Sequence, residues 1–278
     1  MRFSANPHES EPRVHLNTIA AKILTPGLRK FSNRHKGQSC YIFGDGPSIK
    51  WFDLARFNDR PAICCGMIPF HNDFRKLDVR YIMLLTPWMF APRRVQPAMY
   101  HPYRKLYAEY AKLIRTANDR DFFISLSNRF SLSGANVNYV FRGFPRSESQ
   151  TDKELGGFDL YAGSFHATLA LAYFLGFSRI YLIGFDAWVS QSGMTGRWYE
   201  LGTGDTVSTA GAAADYLKVL SRDIELYSIS AGGTSQYIRH VDYETYTGKL
   251  PVFRENHELM DRRYLDILAS CPGYRIFN

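Results

Sequence analysis

Cysteine is scarce in these 278 residues: there are four, Cys40, Cys64, Cys65 and Cys271, and none stands in CxxC spacing. That scarcity argues against zinc, gives no disulfide framework, and makes a reducing cytoplasm the default compartment. GxxxxGK[ST], GxGxxG, GxSxG and HExxH do not occur, so P-loop NTPase, dinucleotide-fold, common serine hydrolase and zincin readings lose support. Long apolar runs are missing as well. The longest apolar region, Phe165–Phe185, is interrupted by His166, Gly176, Ser178 and Arg179, which argues for a buried helix–strand pair and against a membrane span. The opening MRFSANPHESEPRVHLN carries charges and no apolar core, so no signal peptide is expected.

What is present is a core-forming composition with a basic balance. At 45% hydrophobic content the chain can bury one α/β domain with a small appendage. Lys and Arg total 34 against 26 Asp and Glu, a net charge of +8, which favours an anionic partner. Nucleic acid is not that partner by this reading, since the basic residues are scattered and no recognised motif accompanies them.

From Ser39 onward the chain alternates. Cys40–Phe43, Ala62–Cys65, Tyr81–Leu85, Phe122–Ser125, Arg179–Ile183 and Glu225–Ile229 are short apolar strand candidates. Helices are predicted over Ile49–Phe57, Met99–Thr116, Ser164–Leu175, Ala212–Arg222 and His257–Ser270. The pattern predicts an α/β fold of modified Rossmann type: a mostly parallel sheet, helices on both faces, and a ligand crevice at the carboxyl ends of the strands. Residues 1–37 read as a basic, amphipathic appendage with a helix candidate at Val14–Leu24, residues 38–250 as a nucleotide-binding catalytic domain, and 251–278 as a C-terminal helix and tail. Within the domain, the Gly-punctuated stretch 189–209 reads as a lid. The basic ends suggest a cytoplasmic protein resting on the inner face of an anionic membrane, with a helix packed on the domain or on a partner copy as the plainer alternative.

Three segments carry the candidate chemistry. The first is Gly44-Asp45-Gly46-Pro47-Ser48, a strand-to-helix turn whose backbone N–H groups suit a phosphate. Asp45 is its awkward member, because a carboxylate repels phosphate; a base, a ribose hydroxyl or a metal-bridged phosphate would suit it better. The second is the small-residue start Gly163-Ser164 of the helix running to Leu175, with His166 in its first turn as a ligand to a phosphate or carboxylate, or as a simple helix cap. The third is Gly184-Phe185-Asp186-Ala187-Trp188 after a clear strand. Asp186 then stands at a carboxyl end, and Trp188 either stacks on a base or sugar or fills the core. Gly66 and Thr86 follow other strands and help line the same crevice. Asp119-Arg120-Asp121, the one Asp-x-Asp, precedes its strand and so belongs to the opposite sheet end.

Read together, the G-x-G-P-S turn, the small-residue helix start before ALAYFLGF and the strand RIYLIGFDAW resemble the bacterial lipooligosaccharide sialyltransferases, glycosyltransferase family forty-two. They are also similar to the related domain of flagellin-glycosylation and hydroxymethylpterin pyrophosphokinase-like proteins. The resemblance implies a single GT-A-like domain with a lid, a CMP-activated sialic or other ulosonic acid donor, a glycan or lipid-linked acceptor, inversion, and no required cofactor or metal. By position it implies that Gly44, Asp45, Gly46, Ser48, Gly66, Thr86, Gly163, Ser164, Asp186 and Trp188 bind the donor. The chain departs from the family at Asp45, Gly66 and Thr86, where the family prefers Asn, and in having no histidine within 189–209. An inverting transfer needs a proton acceptor; Asp205, nearest the expected position, is the first candidate, with Glu200, His166 and His240 as others. Arg197 and Tyr199 are expected to steady the departing phosphate. Two alternatives stand beside this reading: Mg²⁺-dependent pyrophosphoryl transfer using Asp45 and Asp186, and a catalytically inactive nucleotide-binding module.

Overall fold

The computed structural model describes residues 26–140, 163–189, 192–208, 214–230 and 238–277. Its strands are β1 (Ser39–Phe43), β2 (Ala62–Cys65), β3 (Val79–Leu84), β4 (Asp121–Ser125), β5 (Val137–Val140), β6 (Arg179–Ile183), β7 (Ser192–Thr195), β8 (Asp205–Ser208), β9 (Glu225–Ser230) and β10 (Arg239–Asp242). Eight of them form one sheet in the order β10-β9-β6-β1-β2-β3-β4-β5, parallel at every pairing, while β7 and β8 make a separate antiparallel hairpin. The chain lays strands outward from β1 to β5, then returns to the other side of β1 with β6. The carboxyl ends of β1 and β6 are therefore the switch point at which α/β sheets open a crevice.

Alternation along the central strands divides the core in two. Tyr41, Phe43, Cys64, Ile82, Phe122 and Ile183 face one apolar cluster, which α1 (Arg104–Thr116) and a later helix close with Leu106, Ile114, Leu265 and Leu268. Cys40, Ile42, Ile63, Met83, Phe123 and Leu182 face the other, covered by α2 (Ser164–Phe174) and by the helix that contributes Leu217 and Leu220. Helix α2 is buried at Phe165, Ala167, Thr168 and every position from Leu169 to Ala172, and it packs across β1, β2 and β3. Each fully buried Leu, Ile or Phe contributes roughly 1.5–3 kcal/mol through its removal from water. The remaining α-helices are α3 (Asp186–Val189), α4 (Ala214–Leu220), α5 (Tyr243–Thr247), α6 (Asn256–Leu259) and α7 (Arg262–Ala269).

All six expected strands are found. The two edge strands β5 and β10 were not anticipated, and β10, Arg-His-Val-Asp, has no apolar run to announce it. The helix expected over 49–57 is instead two 3-10 turns, Pro47–Trp51 and Leu54–Arg56. Extended backbone at Phe52 breaks the run, and Asp53 starts the second turn by accepting from the Ala55 N–H. The expected last helix is split where Met260 bridges to His71.

Neither expected flank stands apart from the domain in its described part. Phe31 is fully buried, His35 stacks on Phe177 at 4.6 Å, and Leu265, Leu268 and Ile276 belong to the core. Val14–Leu24 lies outside the described residues. All four cysteines are free and buried, and among the described residues no helix is long and apolar enough to cross a membrane.

Candidate functional site

The two glycine turns interlock at the switch point. The Gly44 N–H donates to the Ile183 carbonyl at 2.8 Å, and the Gly46 N–H donates to the Gly184 carbonyl at 2.6 Å. Gly184 has φ +72°, and a Cβ there would sit 2.7 Å from the Gly44 carbonyl oxygen. A Cβ on Gly46 would fall 2.1 Å from Asp186 Oδ2. Only residues without side chains let β1 and β6 release their loops this close together.

Two carboxylates are built into the crossing. Asp186 is buried, and its Oδ2 accepts from the Ser48 N–H at 3.2 Å and the Ser48 hydroxyl at 3.0 Å. Burial raises its carboxyl above the ordinary value, against the pull of those two donors. This corrects the expectation for Ser48: its hydroxyl is fully buried and spent on Asp186, so the turn that begins there already holds an internal anion. Asp45 Oδ1 accepts from the Met67 N–H at 2.8 Å and the Trp198 indole at 3.2 Å, while its backbone carbonyl accepts from the Trp198 N–H at 3.1 Å. Asp45 thereby fastens the turns after β1 and β2 to the 189–209 segment. Gly66, at φ +63°, leaves the room it needs, since a Cβ there would overlap Asp45 Oδ2. Burial pushes the Asp45 carboxyl up to about 6, opposed by the Met67 N–H, Arg197 and the indole.

The stretch expected as a lid is, where described, tied to the core. Trp198 and Tyr199 are buried, the Tyr199 carbonyl accepts from Asn256 Nδ2 at 3.0 Å, and the Leu201 N–H donates to the Arg275 carbonyl at 2.7 Å. Lys50, whose side chain is fully buried, donates to the Gly202 carbonyl at 2.6 Å and pairs with Glu255 at 3.1 Å. The C-terminal tail completes this wall. The Arg275 N–H donates to Glu200 Oε1 at 3.3 Å, its guanidinium lies 3.9 Å from Asp205, and Arg197 sits 5.0 Å over the Tyr274 ring.

Between these elements lies a cavity of about 670 Å³. Of the residues singled out in the sequence, Asp45, Gly46, Gly66, Ser164, Asp186, Trp188, Arg197 and Glu200 line it. Gly44 and Ser48 lie behind its wall, and Gly163 turns the chain into α2 at φ +90° one residue before the lining. Thr86 is two strands from β1, its carbonyl engaged by Asn128 Nδ2 at 3.2 Å. Tyr199 is a core residue and does not line the cavity. His166 packs its ring on Tyr216 at 4.5 Å and Trp188 at 5.8 Å. Asp205 is exposed and stands outside the lining. Sequence reasoning missed Arg275 and Phe165 as lining residues and gave Glu200 only second rank. Nothing around Arg275 in the sequence marks it; the tail's return to the β1–β6 crossing is what brings it there.

No family model matches this chain, and no curated protein matches it. Among solved structures, the chain is similar to the sialyltransferase CstII from Campylobacter jejuni in complex with the substrate analogue cytidine-5'-monophosphate, at 14% identity and a TM-score of 0.41, over 85% of this chain and 99% of that one. A second structure of CstII, in complex with CMP-3FNeuAc, matches at 12% identity and a TM-score of 0.39, over 84% of this chain and 99% of that one.

Proposed function

We propose that this chain is a glycosyltransferase that takes a CMP-activated sialic or other ulosonic acid as donor and passes the sugar, with inversion, to a glycan or lipid-linked acceptor. The observation that carries the reading is the cavity at the β1–β6 crossing, where Asp45, Asp186, Arg197 and Arg275 meet glycine backbone and the start of α2. Such a site offers what a nucleotide-sugar phosphodiester needs: guanidiniums for its charges, a helix start, and an indole face on Trp188 for a ring.

In this proposal Asp45 supplies the base. Both of its side-chain hydrogen bonds go to Oδ1, and its carboxyl is held at about 6, so the carboxylate is more basic than an ordinary aspartate and ionised at neutral pH. The acceptor hydroxyl gives its proton to Oδ2 as its oxygen attacks the anomeric carbon. The bond from that carbon to the phosphate oxygen breaks, and its electron pair leaves with CMP. Arg197 and Arg275 offset the charge that accumulates on the departing phosphate. Asp45 replaces Asp205 as the candidate base because Asp205 lies outside the cavity. The pyrophosphokinase alternative is less well served, since one of the two Asp186 carboxylate oxygens is committed to Ser48.

A thermal-shift panel of CMP, CDP, UDP, GDP and ATP, each with and without Mg²⁺, tests the assignment. CMP at a hundredfold excess over its Kd stabilises by about 2.7 kcal/mol, roughly 5–10 °C for a chain of this size. Arg197→Ala and Arg275→Ala should each remove most of that shift. Stabilisation by ATP with Mg²⁺ alone would move the assignment to phosphoryl transfer. Where turnover is measurable, kcat should rise through about pH 6, and Asp45→Asn should abolish both that limb and most of the rate.

A further inference from the structure

A second surface belongs to the same edge of the sheet. The loop after β3 leaves Trp88, Val95 and Met99 exposed, and the loop after β4 leaves Phe130 fully exposed. Two buried amides brace these loops, Asn128 across the pair and Gln96 within the first. Asn128 accepts from the Phe90 N–H at 2.9 Å and donates to the Thr86 carbonyl at 3.2 Å, and the Trp88 N–H donates to Ser127 Oγ at 3.0 Å. Gln96 donates to the Trp88 and Met89 carbonyls, both at 3.1 Å. The network holds Trp88 at φ +51°, a left-handed conformation that costs a bulky residue energy. An indole is thus kept in water by a braced, strained loop.

Within the stretches that build these two loops the charges have one sign. No Asp or Glu occurs between Asp78 and Glu109, or between Asp121 and Val140. Arg93, Arg94 and Lys105 are exposed within the first of these stretches. Exposed rings beside cations, with no acid between them, match the boundary of an anionic bilayer: the rings enter the headgroup region and the guanidiniums meet lipid phosphates.

We propose that the loops after β3 and β4 form a membrane-docking surface in which Trp88 and Phe130 enter an anionic bilayer and Arg93 and Arg94 bind its headgroups. The β1–β6 cavity opens at the same sheet edge, so a chain docked this way holds its cavity beside the membrane. The inference stands on exposure and charge alone and does not require the transfer reaction.

Vesicle flotation of the full chain tests it, with phosphatidylcholine vesicles alone or carrying about one-third phosphatidylglycerol. The chain should float with the anionic vesicles at low salt, and the Trp88→Ser/Phe130→Ser and Arg93→Gln/Arg94→Gln variants should each bind roughly tenfold more weakly or worse. Trp88→Gly relieves the left-handed strain, so it should lose binding while keeping or raising the melting temperature, which separates docking from folding. Leu250→Ser/Val252→Ser, on another exposed apolar loop, should bind like the unaltered chain. The proposal is overturned if the unaltered chain ignores anionic vesicles, if Trp88→Ser/Phe130→Ser binds undiminished, or if the loss is confined to Leu250→Ser/Val252→Ser.

Discussion

Two cavities of equal size, about 670 Å³ each, lie at opposite edges of one sheet, and their walls are built on different principles. At the amino edge, below the starts of β3, β4 and β5, the lining is arginine against aspartate: Arg34 pairs with Asp121 at 3.4 Å and Arg120 with Asp119 at 3.1 Å, while Arg80 reaches neighbouring Asp78 at 2.8 Å. These acids meet their own cations at the surface, and Arg120 holds the Asp119 carboxyl below its ordinary value. At the carboxyl edge Asp186 is buried and Asp45 half-buried, their carboxylates held on N–H, hydroxyl and indole donors, and desolvation raises both. Volume does not distinguish the two. A cavity whose carboxylates are already ion-paired offers no free base, whereas one that sets raised carboxylates beside guanidiniums has the groups that the proposed transfer needs.

The sharpest break in that comparison is steric. Gly184→Ala at the carboxyl edge adds a left-handed penalty of about 1–2 kcal/mol and a backbone clash of about 1–3 kcal/mol, so about 3 kcal/mol or more should be lost. Gly134→Ala at the amino edge meets Asn136 Oδ1 at 2.9 Å, a side-chain atom that can shift, and should cost no more than about 1 kcal/mol. Urea unfolding of both variants measures the gap, and equal losses would mean that the β1–β6 crossing has no special tightness.

Next in size is the pair Asp186→Ala and Asp119→Ala. The first strands two buried donors of Ser48 and should cost about 2–3 kcal/mol. The second removes a largely exposed ion pair and should stay within about 0.5 kcal/mol. If Asp119→Ala proves the costlier change, the amino edge is doing more structural work than its exposure allows.

The same contrast explains what the sequence disclosed. The central strands were readable because a strand buried on both faces must be continuously apolar, as Tyr41–Phe43 and Ile180–Ile183 are. Edge strand β10 was not, because only one of its sides pairs and its residues stay half in water. The positions of Gly44–Gly46 and Gly184–Asp186 at strand ends were legible, and so was the placing of Asp119-Arg120-Asp121 at the far edge. Where side chains point was not. Ser48 turns inward because Asp186 sits opposite it, and Tyr199 is core because Trp198 is pulled onto Asp45. Those are facts about contacts between segments well over a hundred residues apart, and no local pattern records them.

The subtlest prediction uses proton linkage, and it gives the two edges opposite signs. The Asp45 carboxyl is raised in the folded chain to about 6, so folding disfavours its ionised form. The stability it contributes is complete below its unfolded value, near 4, and is lost as pH rises through about 6. Relative to Asp45→Asn, the unaltered chain should therefore weaken between about pH 4 and 6 and run level above that, by on the order of 1 kcal/mol once screening through the open cavity is allowed for. Asp119 behaves in the reverse sense. Its carboxyl is lowered by Arg120, so its contribution is present above the ordinary carboxylate range and is lost as pH falls through it. Unfolding midpoints collected from about pH 2 to 7 for the unaltered chain, Asp45→Asn and Asp119→Asn give two difference curves that should slope in opposite directions, the Asp45 curve between about pH 4 and 6 and the Asp119 curve below about 4. Curves of the same sign would mean that burial does not dominate at Asp45, and that the two cavities are electrostatically alike after all.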